Sequence, residues 1–147
     1  MKLFKKIVQS NAPTAAVAIR LMVGGVFFLE GIKKFLFVEQ WGAGRFARIG
    51  IPAPQIMGPF VGVVEIVCGL LLLVGLLTRI ASLLLVIDIS VAIASTKIPL
   101  LLKNGFWPAE AESRTDFSML MGLIFLLIVG AGAWSLDARF SSRTGHS

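Results

Sequence analysis

A chain of 147 residues that is 56% hydrophobic and only 15% charged has more apolar surface than a water-soluble domain of its size can bury, which points to the bilayer. Its net charge of +6 lies mostly beside apolar runs, which fits anionic headgroups and argues against nucleic acid as a partner. One cysteine, Cys68, and one histidine, His146, exclude a self-contained dithiol relay, a Cys/His zinc site and paired-histidine haem ligation, so no metal or cofactor is expected to be bound by this chain alone.

The opening MKLFKKIVQ makes residues 1–13 a basic segment. Arg20 interrupts the apolar run that follows and no small-x-small site closes it, so a retained first span is expected over 14–37. The stretch VEQWGAGRFARIGIPAPQ, with Trp41, Arg45, Phe46 and Arg48, suits a short interfacial segment before the second span at 56–77. Only Leu77-Thr78-Arg79 separates this span from the third, 80–102, so the two must be antiparallel neighbours. KNGFWPAEAESR follows as a turn-forming break, and the fourth span is expected at 117–134. Uninterrupted apolar runs predict helices rather than barrel strands. The fold expected is therefore all-α: an integral membrane four-helix bundle over 14–137 with a polar tail at 138–147. The basic residues flanking the spans divide six against seven between the two sides, which decides nothing, but Lys2, Lys5 and Lys6 beside the first span favour a cytoplasmic N-terminus, and an even number of spans puts the C-terminus on the same side.

Within these spans a lipid-facing Arg, Lys or Asp at mid-bilayer would cost about 2.5–3.5 kcal/mol, so the charges should face inward. Gly58, Gly62, Glu65 and Gly69 share one helical face, and Gly24 and Gly31 lie on the face of Arg20 and Lys34. Small residues mark close helix approach, so these five glycines are candidate packing positions. Depths counted from the predicted span ends give two layers. Arg20 pairs with Asp88 as a structural ion pair. Glu30 and Glu65 meet Lys34, with Lys97 near, under a lid of Trp41, Phe106 and Trp107. The second layer has two readings: buried ion pairs that set helix register, or a ligand site at Glu30, Lys34, Glu65, Asn104 and Trp107.

In order, Arg20, Gly31-x-x-Lys34, Gly50-x-Pro52, Gly62-x-x-Glu65-x-x-x-Gly69, Gly75-Leu-Leu-Thr-Arg79, Asn104-Gly105-Phe106 and Gly132-x-Trp134-Ser135-Leu136-Asp137 resemble the DoxX family of small four-helix membrane proteins, over about residues 15–137. Family members often carry a histidine before the Asn-Gly turn, where this chain reads Leu102-Lys103-Asn104. The resemblance implies a bacterial inner-membrane protein associated with an oxidoreductase complex, as DoxD relatives are subunits of a thiosulfate:quinone oxidoreductase. It implies an anchoring or quinone-interacting subunit, with quinone as the candidate cofactor and the redox centre supplied by a protein partner. The alternative is a structural accessory subunit without chemistry of its own, in a larger assembly or a homo-oligomer. A small-solute transporter ranks last, because one four-helix chain encloses only a narrow pore.

Overall fold

The computed structural model describes residues 2–3 and 14–143, which form helices with no strand among them. Most of the basic segment 1–13, and His146, lie outside the described residues. Helix α1 is Ala16–Leu36, and the Phe37 N–H closes it on the Lys33 carbonyl at 2.9 Å. Two short helices follow, α2 (Val38–Trp41) and α3 (Ala43–Arg48), and fold back so that Ala43 and Phe46 are buried. Arg48 fixes this corner by donating to the carbonyls of Glu39 at 2.8 Å and Gln40 at 3.3 Å.

Helix α4 (Pro54–Val74) starts on Pro54, whose missing N–H would have no intrahelical partner there. It ends at Gly75, which takes a left-handed φ of +71° that costs a glycine little. The N–H groups of Gly75 and Leu76 reach back to the carbonyls of Leu72 and Leu71, at 3.2 and 2.9 Å, forming a Schellman cap. Helix α5 (Thr78–Asn104) begins two residues later. A π-helical turn interrupts it at Ile93–Lys97, just before Pro99, which has no N–H for the ladder. Gly105 (φ +86°) then separates it from α6 (Phe106–Val129), and α7 (Leu136–Arg143) occupies much of the expected polar tail.

The fourth long helix thus starts eleven residues before the predicted 117 and stops before 134. The charged stretch expected as a turn-forming break is helical, and it is supported by the Glu110–Arg114 pair at i,i+4, 3.8 Å apart, and by Lys97 of α5, 3.4 Å from Asp116. Gly130 and Gly132, both at positive φ, then end the helix. Among the described residues, α4 and α5 are long and apolar enough to cross a membrane.

The four long helices pack in a cycle: α1 on α4, α4 on α5, α5 on α6, and α6 on α1. The α1–α4 contact is the tightest. A Cβ on Gly31 would come within 2.7 Å of the Gly62 carbonyl oxygen, and one on Gly69 within 2.9 Å of the Gly24 carbonyl oxygen. Gly58 touches α3 instead, at Ala43. Val23, Phe27, Cys68, Leu72, Leu85, Leu123 and Leu126 fill the centre.

Polar groups tie one end shut. Asp137, 2% exposed, accepts the N–H groups of Leu77 (2.8 Å) and Thr78 (3.0 Å), and so caps α5 from a distant part of the chain. The Asp137 N–H in turn donates to the Gly75 carbonyl at 2.9 Å. Arg20 donates to the carbonyls of Ala131 (2.7 Å) and Trp134 (2.6 Å). This corrects the expected Arg20–Asp88 pair. Asp88 lies ten residues into α5, on a cavity wall with Glu65, away from the end where Arg20 is held by the Ala131 and Trp134 carbonyls.

Candidate functional site

The opposite end of the helix cycle opens into a cavity of about 610 Å³, within the usual range for small-molecule sites. Lys34 Nζ lies 2.6 Å from Glu65 Oε2 on its wall, with both side chains largely buried. The local geometry explains the meeting. Gly24 faces Gly69 and Gly31 faces Gly62, so α1 and α4 run antiparallel. Helical side chains lean toward their own N-terminus, so Lys34 leans back along α1 and Glu65 back along α4. The two converge at the Gly31–Gly62 contact, where the absence of side chains brings the backbones together.

Asp88 of α5 joins this pair from a third helix, its carboxyl lying beside that of Glu65. One ammonium thus faces two carboxyls. Two carboxyls beside one ammonium leave a negative charge that the ion pair itself does not balance. Glu30 also lines the cavity, but its ion pair, at 2.5 Å, is with Lys33 rather than Lys34. Lys33 sits 4.6 Å from the Trp41 ring centroid and Arg45 5.2 Å from it, so Trp41 faces two cations at the mouth. Lys97 closes the α5 side through Asp116.

Two expected ligand residues lie elsewhere. Asn104 and Trp107 do not line the cavity. Trp107 is 76% exposed and packs edge-on against Phe106 at 5.2 Å, because α6 begins at Phe106 and turns these aromatics outward. Of the expected lid, only Trp41 lines the cavity. Asp88 and Asp116 were missed as cavity residues. Asp88 lies ten residues into α5 and Asp116 ten residues into α6, and both helix starts were set too late in the sequence.

The profile of the DoxX family matches residues 15–98. An uncharacterized membrane protein of Mycobacterium tuberculosis is 50% identical over 144 residues, covering 94% of this chain and 88% of the relative. A Haemophilus influenzae protein named only as uncharacterized is 32% identical over 134 residues, covering 90% and 95%. A Bacillus subtilis protein named as a candidate oxidoreductase, CatD, is 28% identical over 119 residues, covering 81% of each chain. No solved structure matches the chain.

Proposed function

The chain belongs to the DoxX family, and from that premise we propose that it is a membrane subunit of an oxidoreductase system whose cavity receives the head of a quinone. The four long helices are its four membrane spans, in a bacterial inner membrane with both termini cytoplasmic. The outer two carry more charge than α4 and α5, but α1 turns Arg20 into the sealed end and Glu30, Lys33 and Lys34 into the cavity. The single observation that carries the redox reading is the Lys34–Glu65–Asp88 trio on the wall of a cavity whose remaining lining mixes apolar side chains with further charged ones. The naming of the Bacillus subtilis relative points the same way.

The residues suit such a head. Val26, Phe27 and Ile89 offer an apolar slot, Lys34 a donor for a carbonyl oxygen, and Glu65 with Asp88 acceptors for a proton. A quinone bound there would supply two-electron redox chemistry, and a protein partner would supply the redox centre. This chain binds and orients the head, keeps bulk water out through the sealed Arg20 end, and moves protons. Glu65 takes a proton, Asp88 shares it, and the charged side chains along the wall lead it toward the mouth.

The test is extraction of quinone from the protein purified in mild detergent. Wild type should retain it, and Glu65→Gln and Lys34→Met should each lose it while remaining folded. Loss of quinone in neither variant would overturn the reading. It would favour the alternative, an accessory subunit that co-purifies with a large membrane complex and is indifferent to these changes.

A further inference from the structure

We propose that the basic rim of the cavity is a binding site for the phosphate of an anionic phospholipid, built by Arg45, Arg48 and Lys97. The proposal is independent of the quinone reading. Beside the main cavity lies a second pocket of about 530 Å³, lined by these three cations and a single carboxylate, Glu112. That carboxylate is spent weakly, 3.9 Å from Lys97 with its side chain 68% exposed, and Lys97 is already held 3.4 Å from Asp116, so the uncompensated charge rests on the arginines. Among the described residues neither arginine pairs with a carboxylate. Arg48 is anchored on two backbone carbonyls, which hold the guanidinium in place without neutralising it. Arg45 is held over the Trp41 ring. Two fixed guanidinium groups with uncompensated charge are suited to a phosphate, which they can grip through paired N–H donors.

The site also has what a lipid needs beyond its headgroup. Ile49, Pro99 and Leu100 give the pocket an apolar side. From the same Lys97 an apolar groove of about 510 Å³ runs between α5 and α6, along Ile98, Leu101, Phe106 and Phe117. Charge and grease adjoining at one lysine match the phosphate and acyl chain of one amphiphile, whereas a free oxyanion would use only the first. The arginine pocket shares Arg45, Lys97 and Glu112 with the main cavity, and the apolar groove shares Lys97, so a lipid bound here stands at its mouth.

The experiment is native mass spectrometry on the delipidated full-length protein, titrated with phosphatidylglycerol, with phosphatidylcholine of the same chains, and with inorganic phosphate. Phosphatidylglycerol should bind at least tenfold more tightly than phosphatidylcholine, and inorganic phosphate should not bind at matched concentration. The double variant Arg45→Ala/Arg48→Ala should weaken phosphatidylglycerol about 30-fold, the effect of two basic residues at an anionic surface. Arg139→Ala, an exposed cation on α7, should leave it unchanged. Equal binding of the two lipids by wild type, which needs no variant to fold, would overturn the proposal. So would an unaffected double variant, an equal loss in Arg139→Ala, or inorganic phosphate binding as tightly as the lipid.

Discussion

Lys34 and Glu65 are a buried ion pair, and for such pairs the loss of one partner costs more than the loss of both, because the remaining charge stays out of water. Lys34→Met should therefore destabilise the protein by about 3–5 kcal/mol, leaving Glu65 and Asp88 with no cation, while Lys34→Met/Glu65→Gln should recover part of that loss. Thermal unfolding in detergent across the double-mutant cycle measures it, and additive losses would show that the two groups do not interact. At the sealed end, Asp137→Ala should cost about 1–2 kcal/mol, because it removes an acceptor from two N–H groups at the start of α5. A lower melting temperature with unchanged quinone retention is the expected signature. The Lys34–Glu65 meeting was legible in the sequence because glycines at helical spacing flank both residues. The Arg20–Asp88 pairing was misread because depth was counted from span ends, and no pattern in the sequence announces that a carboxylate sixty residues downstream will cap Leu77.

Between elements, the glycines decide how closely α1 and α4 approach. In a bilayer, lipid tails are as apolar as leucine, so helices associate through close packing and polar links rather than through escape from water. Gly31→Ala would drive a Cβ to 2.7 Å from the Gly62 carbonyl oxygen, against backbone that cannot swing aside. It should cost about 1–3 kcal/mol, as overpacking does, and should also shift the Lys34–Glu65 contact. Gly25→Ala is the control: a Cβ there meets nothing within 4 Å, and the change should be neutral or stabilise by up to about 1 kcal/mol. Equal melting temperatures for the two variants would contradict close packing at Gly31. Helical periodicity made this interface readable in the sequence. The start of α6 was not readable, because its charged first turns are satisfied by Lys97 of a neighbouring helix, a partner that no local pattern reveals. The π-helical turn left a trace only in Pro99, two residues after it.

For the molecule as a whole, the two ends differ in kind. One is closed by Arg20, Asp137 and the carbonyls and N–H groups they bind, above a core of leucines; the other opens through the cavity between Trp41 and Lys97. With the four spans proposed above, a protein built this way would give its deep carboxyls access to one face of the membrane only, which is what a site exchanging protons with one compartment requires and what a through-pore lacks. Cysteine labelling can establish the sidedness, with little background because the lone Cys68 is 3% exposed. In sealed vesicles of known orientation, Ala92→Cys, on the cavity wall, should react with a membrane-impermeant thiol reagent added on the face of the α2–α3 corner and not on the face of α7. Ser82→Cys, wholly buried on the sealed side of the same helix, should react from neither. Reaction of Ala92→Cys from the α7 face would mean that the arginine and aspartate closure does not hold in the membrane. The transporter reading would then move ahead of the redox one.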